Sequence, residues 1–305
     1  FLCNAGSLVG FLFPFIFTWI GISNIAPQGV VPDSVIYSFY IGAAILILCV
    51  IYTTVKVKEM PPAEYAEYHG ITEEEKKEKI NMVKLLVKAP KAFWTVGLVQ
   101  FFCWFAFMFM WTYTNGSVAA NVFDAPTVET VVNGASKIVL DTKSIQYQNA
   151  ADWVGVLFAV QAIGSVLWAV CIPMFKNRKL IYSLSLVLGG IGFISTYFVH
   201  NQYVLFISFL LIGCAWAAML ALPFTILTNA LSGGHMGTYL GLFNGTICIP
   251  QIVAATLGGS ILALFTPKGM LPPEINMLVM AGVMLIIGAV CVYLIKETKG
   301  EQAKA

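Results

Sequence analysis

"GLFNGTICIPQI", residues 241–252, lies inside an uncharged run that extends from 238 to 265. An uncharged apolar stretch of about 20 residues or more is long enough to cross the hydrocarbon core of a bilayer as a helix. Read that way, Asn244, Thr246 and Gln251 sit at lipid depth, and Pro250 frees a backbone carbonyl beside them. Polar groups at that depth are costly unless they meet one another, water or a ligand. The stretch therefore points to a membrane helix that lines something polar.

The rest of the chain agrees with a membrane setting. It has 305 residues, 59% hydrophobic and only 10% charged, where a soluble domain is about a quarter charged. Eight runs carry no Asp, Glu, Lys, Arg or His: 2–20, 35–55, 92–114, 153–175, 180–199, 203–227, 238–265 and 275–295. The expected fold class is an all-α polytopic membrane protein. The seven cysteines fall one to a run, a pattern of small apolar fillers rather than of disulfides or metal sites. No metal, cofactor, catalytic constellation or nucleic-acid partner is expected, and a net charge of +2 says little about partners. The partner implied throughout is the lipid bilayer. The chain opens at Phe1 inside an apolar run, without a charged leader or cleavage site, and reads as the C-terminal part of a longer protein.

Charge in the loops orients the spans. Segment 56–91 holds eight lysines, loop 176–179 holds Lys176, Arg178 and Lys179, and the tail holds Lys296, Lys299 and Lys304. The opposite loops hold only Lys137, Lys143 and Lys268. The positive-inside rule places 56–91 and the C-terminus in the cytoplasm of a multi-pass protein of the cell membrane, inner or plasma. Three parts follow: 1–55 as two spans, 56–91 as a cytoplasmic linker, and 92–305 as a six-helix half. Within the linker, "TEEEKKEKINMVKLLVKAPK" reads as a helix capped by Thr72, with Glu75 closing the box. Ile80, Val83 and Val87 share a face that would lie on the membrane or remain a solvated linker. In the outer loop 115–152, "VETVVNGASKIVLDT" fits a hairpin around Asn133–Gly134.

The polar residues inside the spans recur on faces. Gln100, Trp104 and Trp111, with Asn115 just past the end of the third span, fall within an arc of about 60° at the helical period. Gln161, Ser165 and Trp168 share an arc of 153–175. Asn244 and Gln251 share one of 238–265, and Trp216 lies in 203–227. One reading is interhelical glue, at about 0.6 kcal/mol per bond. The other is a wet central cavity, favoured because an unpaired buried amide costs roughly 1–3 kcal/mol. Amides that donate and accept, beside flat indoles and without countercharge, suit a neutral polyhydroxylated ligand. Pro14, Pro223 and Pro250 would bend their helices, as in transporters. Gly237, Gly241 and Gly245 recur every four residues and would admit another helix closely.

These stretches resemble a known family. "GCAWAAMLALPFTILTNAL" followed by "GTYLGLFNGTICIPQIVAATLGG" is similar to the tenth and eleventh spans of sucrose-transporter-like proteins. Those are glycoside–pentoside–hexuronide cation symporters of the major facilitator superfamily. "VQFFCWFAFMFMWTYTNGSVA" resembles their seventh span, "ADWVGVLFAVQAIGSVL" the eighth and "NAGSLVGF" the fifth. The resemblance implies a major facilitator fold with spans five to twelve of twelve present here. It implies alternating-access uptake of a disaccharide such as sucrose or maltose, with protons or else sodium as the coupling ion, by a monomer that is not an enzyme. It implies coupling carboxylates in the N-terminal half, since the eight spans carry none. "FKNRKL" keeps only a remnant of the basic signature between spans eight and nine. An uncoupled facilitator or drug-efflux transporter, and a non-transporting sugar receptor or scaffold, remain the alternatives.

Overall fold

The computed structural model describes residues 2–23, 31–68, 82–132, 135–231 and 236–295. Helix α1 covers Leu2–Trp19, α2 Asp33–Lys56, α3 Pro62–Tyr68, α4 Met82–Val87 and α5 Lys91–Asn121. Strands β1, Thr127–Val132, and β2, Ala135–Leu140, follow. Helices α6 (Ile145–Cys171), α7 (Arg178–Ser195), α8 (Leu205–Ala230), α9 (Met236–Phe243), α10 (Gly245–Phe265) and α11 (Ile275–Cys291) complete the order.

Among the described residues, seven helical segments are long and apolar enough to cross a membrane, with α9 and α10 together forming one of them. The expected span at 2–20 corresponds to a shorter apolar helix, so the anticipated count of eight is reduced to seven by this measure. The run 238–265 is not one continuous helix. It breaks at Asn244, between α9 and α10, about one and a half turns ahead of Pro250. A proline ring crowds the carbonyl four residues back and removes one ladder bond, and Gly245 beside the break weakens the helix further.

Helix α5 is the axis of the C-terminal part and packs on α6, α8, α10 and α11. Its sequence is apolar along most of its length, and most residues from Phe93 to Ala119 are buried, while Trp94, Leu98, Trp111 and Thr112 are exposed. Lipid supplies no hydrophobic drive between helices, so close packing rests on small residues. Gly164 of α6 lies against the Leu210 backbone of α8, at 3.0 Å from where a Cβ would meet the Leu210 Cα. Gly213 of α8 returns the contact against the backbone of Gln161 and Ser165. These two glycines make the α6–α8 seam. The stripe expected to do this, Gly237, Gly241 and Gly245, meets no other helix among the described residues.

The linker and loop readings divide. Residues 72–81, which include Thr72, Glu75 and Ile80, lie outside the described residues; Met82–Val87 is helical, with Val83 and Val87 exposed. Helix α3, unanticipated, precedes it. The expected hairpin is present: β1 pairs antiparallel with β2, Thr127 opposite Leu140 and Val132 opposite Ala135, while 133–134 lie outside the described residues. Helix α6 then starts at a Ser144 cap, whose Oγ accepts from Tyr147 N at 3.2 Å. The six cysteines whose side chains are described are free thiols.

Candidate functional site

Helix α5 runs to Asn121, so Asn115 lies within it rather than past its end. Gln100, Trp104, Trp111 and Asn115 are thereby fixed on one continuous stripe. Trp216, from α8, closes on that stripe: its ring stands edge-on to Trp104 at 5.8 Å and 78°, and to Trp111 at 5.8 Å and 83°. Phe107 packs on Trp216 at 4.9 Å. Such pairs contribute about 0.5–1.5 kcal/mol each beyond the area they bury. The result is a rigid aromatic wall, buried at Trp104 and open at Trp111, which is 38% exposed.

Gln100 joins the wall to the bend of α8. Pro223 has no N–H, so it cannot serve the carbonyl four residues back, that of Met219. Gln100 Nε2 donates to this Met219 oxygen at 3.2 Å. Gln100 is fully buried, and its other amide atom, Oε1, has no partner among the described residues. The same holds for Trp104 Nε1, one turn along the stripe, and for Asn115 Oδ1 at its far end. Gln100 Oε1, an acceptor, and Trp104 Nε1, a donor, are thus both buried and unpaired, one helical turn apart in sequence.

The remaining candidates do not all converge on this wall. Gln161 is buried on α6, where its backbone meets Gly213. Trp168 faces α7 instead, and its Nε1 donates to Ser185 Oγ at 2.8 Å. Asn244 is exposed at the α9–α10 break and its side chain caps nothing. Gln251 is half-buried, and Pro250, ahead of it, is buried inside α10. Pro14 lies inside α1, where Thr18 Oγ1 donates to the Pro14 carbonyl at 3.0 Å. A small, mostly apolar pocket lined by Ser117, Asn121, Thr196, Phe209 and Ile275 includes none of these candidates.

One carboxylate is relocated and another is newly found. Helix α6 begins at Ile145, so Asp152 is exposed about two turns inside it rather than in the loop. Glu274 escaped the sequence reading, which searched the uncharged runs and stopped one residue short of it. It precedes α11 and is half-buried, and burial pushes its carboxyl up to about 7. The sequence signal was available: an acid immediately before a span, behind two prolines, in "PPEINM".

The family model described as Major Facilitator Superfamily matches residues 118–305. The chain belongs to the major facilitator superfamily. No curated protein matches it. This facilitator is accordingly a multi-pass membrane transporter of small molecules and not an enzyme. The matched region takes in α6 to α11, and the polar stripe of α5 lies immediately ahead of it.

Proposed function

We propose that this facilitator carries a neutral sugar, a disaccharide such as sucrose or maltose, together with protons by alternating access. The observation that carries the reading is the Trp104–Trp111–Trp216 wall with Gln100 Oε1 and Trp104 Nε1 unpaired on it. Sugar rings present an apolar C–H face and a rim of hydroxyls, and this surface offers a partner for each. An ionic substrate calls for a buried countercharge, and the stripe has none. The resemblance of 213–231 and 237–259 to sucrose-transporter spans supports the same substrate class. In this reading Gln161, Asn244 and Gln251 extend the polar lining, and Trp168 positions α6 on α7. Residues 1–55, 56–91 and 92–305 act as the end of one half, a cytoplasmic linker and the second half. The C-terminus is cytoplasmic.

Binding tests this without transport. Titration of the purified protein with sucrose, maltose and a charged sugar acid, followed by calorimetry, should show saturable binding of a neutral disaccharide only. Trp104→Phe keeps an aromatic face, a smaller one, but loses the indole N–H, and should weaken it about tenfold, chiefly through the loss of one buried hydrogen bond. Preference for the charged acid, or an unchanged affinity in the variant, would count against the reading.

A further inference from the structure

Glu274 stands where the start of α11 meets α5. Its carboxyl lies flat on Gly116 of α5: a Cβ built there would overlap it, with Cδ at 2.5 Å and Oε1 at 2.8 Å. Only a residue without a side chain leaves this notch open. Tyr113, one turn earlier on α5, carries the titratable group that faces the carboxyl. The Tyr113 hydroxyl in turn reaches α10, 2.6 Å from the position a Cβ of Gly258 would take. From α10 itself the contact is this glycine. Within its own connection, 266–274, the nearest cation in sequence is Lys268, and none of the described residues offsets the burial.

The same residue anchors the start of α11. Glu274 N donates to Pro272 O at 2.9 Å, Asn276 N to Pro273 O at 3.0 Å, and Met277 N to the Glu274 carbonyl at 3.0 Å. A displaced carboxyl therefore disturbs the first turn of α11. The site also lies away from the aromatic wall, since Gly116 and Gln100 are roughly 160° apart around α5.

We propose that Glu274 is a proton-binding latch: neutral, it seats in the Gly116 notch and ties the start of α11 to α5; ionised, it leaves the notch for water. The sign follows from burial, which raises the seated carboxyl to about 7. The seated state binds the proton more tightly than the released one. The latch is fully held below the ordinary carboxylate range and is lost as pH rises through about 7. It does not depend on which substrate is carried.

Hydrogen exchange on the whole protein in lipid bilayers tests it, with intrinsic amide rates divided out. Between about pH 5 and pH 8, protection of the Glu274, Asn276 and Met277 amides should fall at least fivefold. Glu274→Gln, which cannot ionise, should keep the acid-side protection throughout. Gly116→Ala, which fills the notch, should remove the pH dependence at the low-protection level. Infrared titration of the unaltered protein should show a carboxyl with a midpoint near 7 that Glu274→Gln deletes. Protection in the unaltered protein that does not vary with pH, or a Glu274→Gln profile that follows it, would overturn the latch.

Discussion

Gln100 divides one amide between two settings. Its nitrogen holds the carbonyl that Pro223 leaves free, and its oxygen, which the proposed function assigns to a ligand, has no partner among the described residues. The two can be separated. Pro223→Ala returns an N–H to the Met219 carbonyl, so the bond from Gln100 becomes redundant. Gln100→Leu should lower thermal stability in detergent by about 0.6–1 kcal/mol alone, and by clearly less in the Pro223→Ala background. Its effect on sugar affinity should persist in both. A cycle that is additive for stability would deny the link between Gln100 and the bend. At this scale the stripe was legible, because spacing at the helical period needs no partner. The Met219 carbonyl was half legible: Pro223 identifies which oxygen is freed, but no pattern in the chain says which helix supplies the donor. Trp168 shows the opposite limit. It shares an arc with Gln161, yet its N–H is bound to Ser185 of α7, a neighbour that periodicity cannot name.

The elements were read well where apolar runs end in charge or turn chemistry, and less well where helices outrun the membrane. Helices α5 and α6 extend beyond their uncharged cores by several residues, which moved Asn115 and Asp152 into helix. The break at Asn244 was not anticipated; it lies ahead of Pro250, whose steric effect falls on the preceding turn. Glycine spacing misled as well. A four-residue repeat marks a surface able to be approached, while the contact itself requires a second helix. Gly213→Leu should therefore collapse protein yield, since any side chain there collides with the backbone of Gln161 and Ser165. Gly241→Ala should leave yield within the range of the unaltered protein, as nothing lies within 4 Å of its added carbon. Fluorescence-detected size exclusion on the two variants reads this, and equal losses would contradict the assignment of the seam to α6 and α8.

For the whole molecule, orientation and coupling each carry a test. With the hairpin side outside, Lys143→Cys should react with an impermeant thiol reagent on intact cells, and Glu64→Cys only after permeabilisation. The reverse pattern would invert the lysine argument. Asp152→Asn should leave proton-driven accumulation intact, because an exposed acid near one end of α6 cannot change sides during the cycle. Loss of accumulation with sugar binding retained would make it the carrier instead. The most direct measurement is uptake of a labelled neutral disaccharide by proteoliposomes under an imposed inward proton gradient. The account predicts saturable accumulation above the external concentration, abolished by a protonophore and weakened by Trp104→Phe through KM rather than protein level. Uptake no greater than in protein-free vesicles, for sucrose and maltose alike, would contradict it.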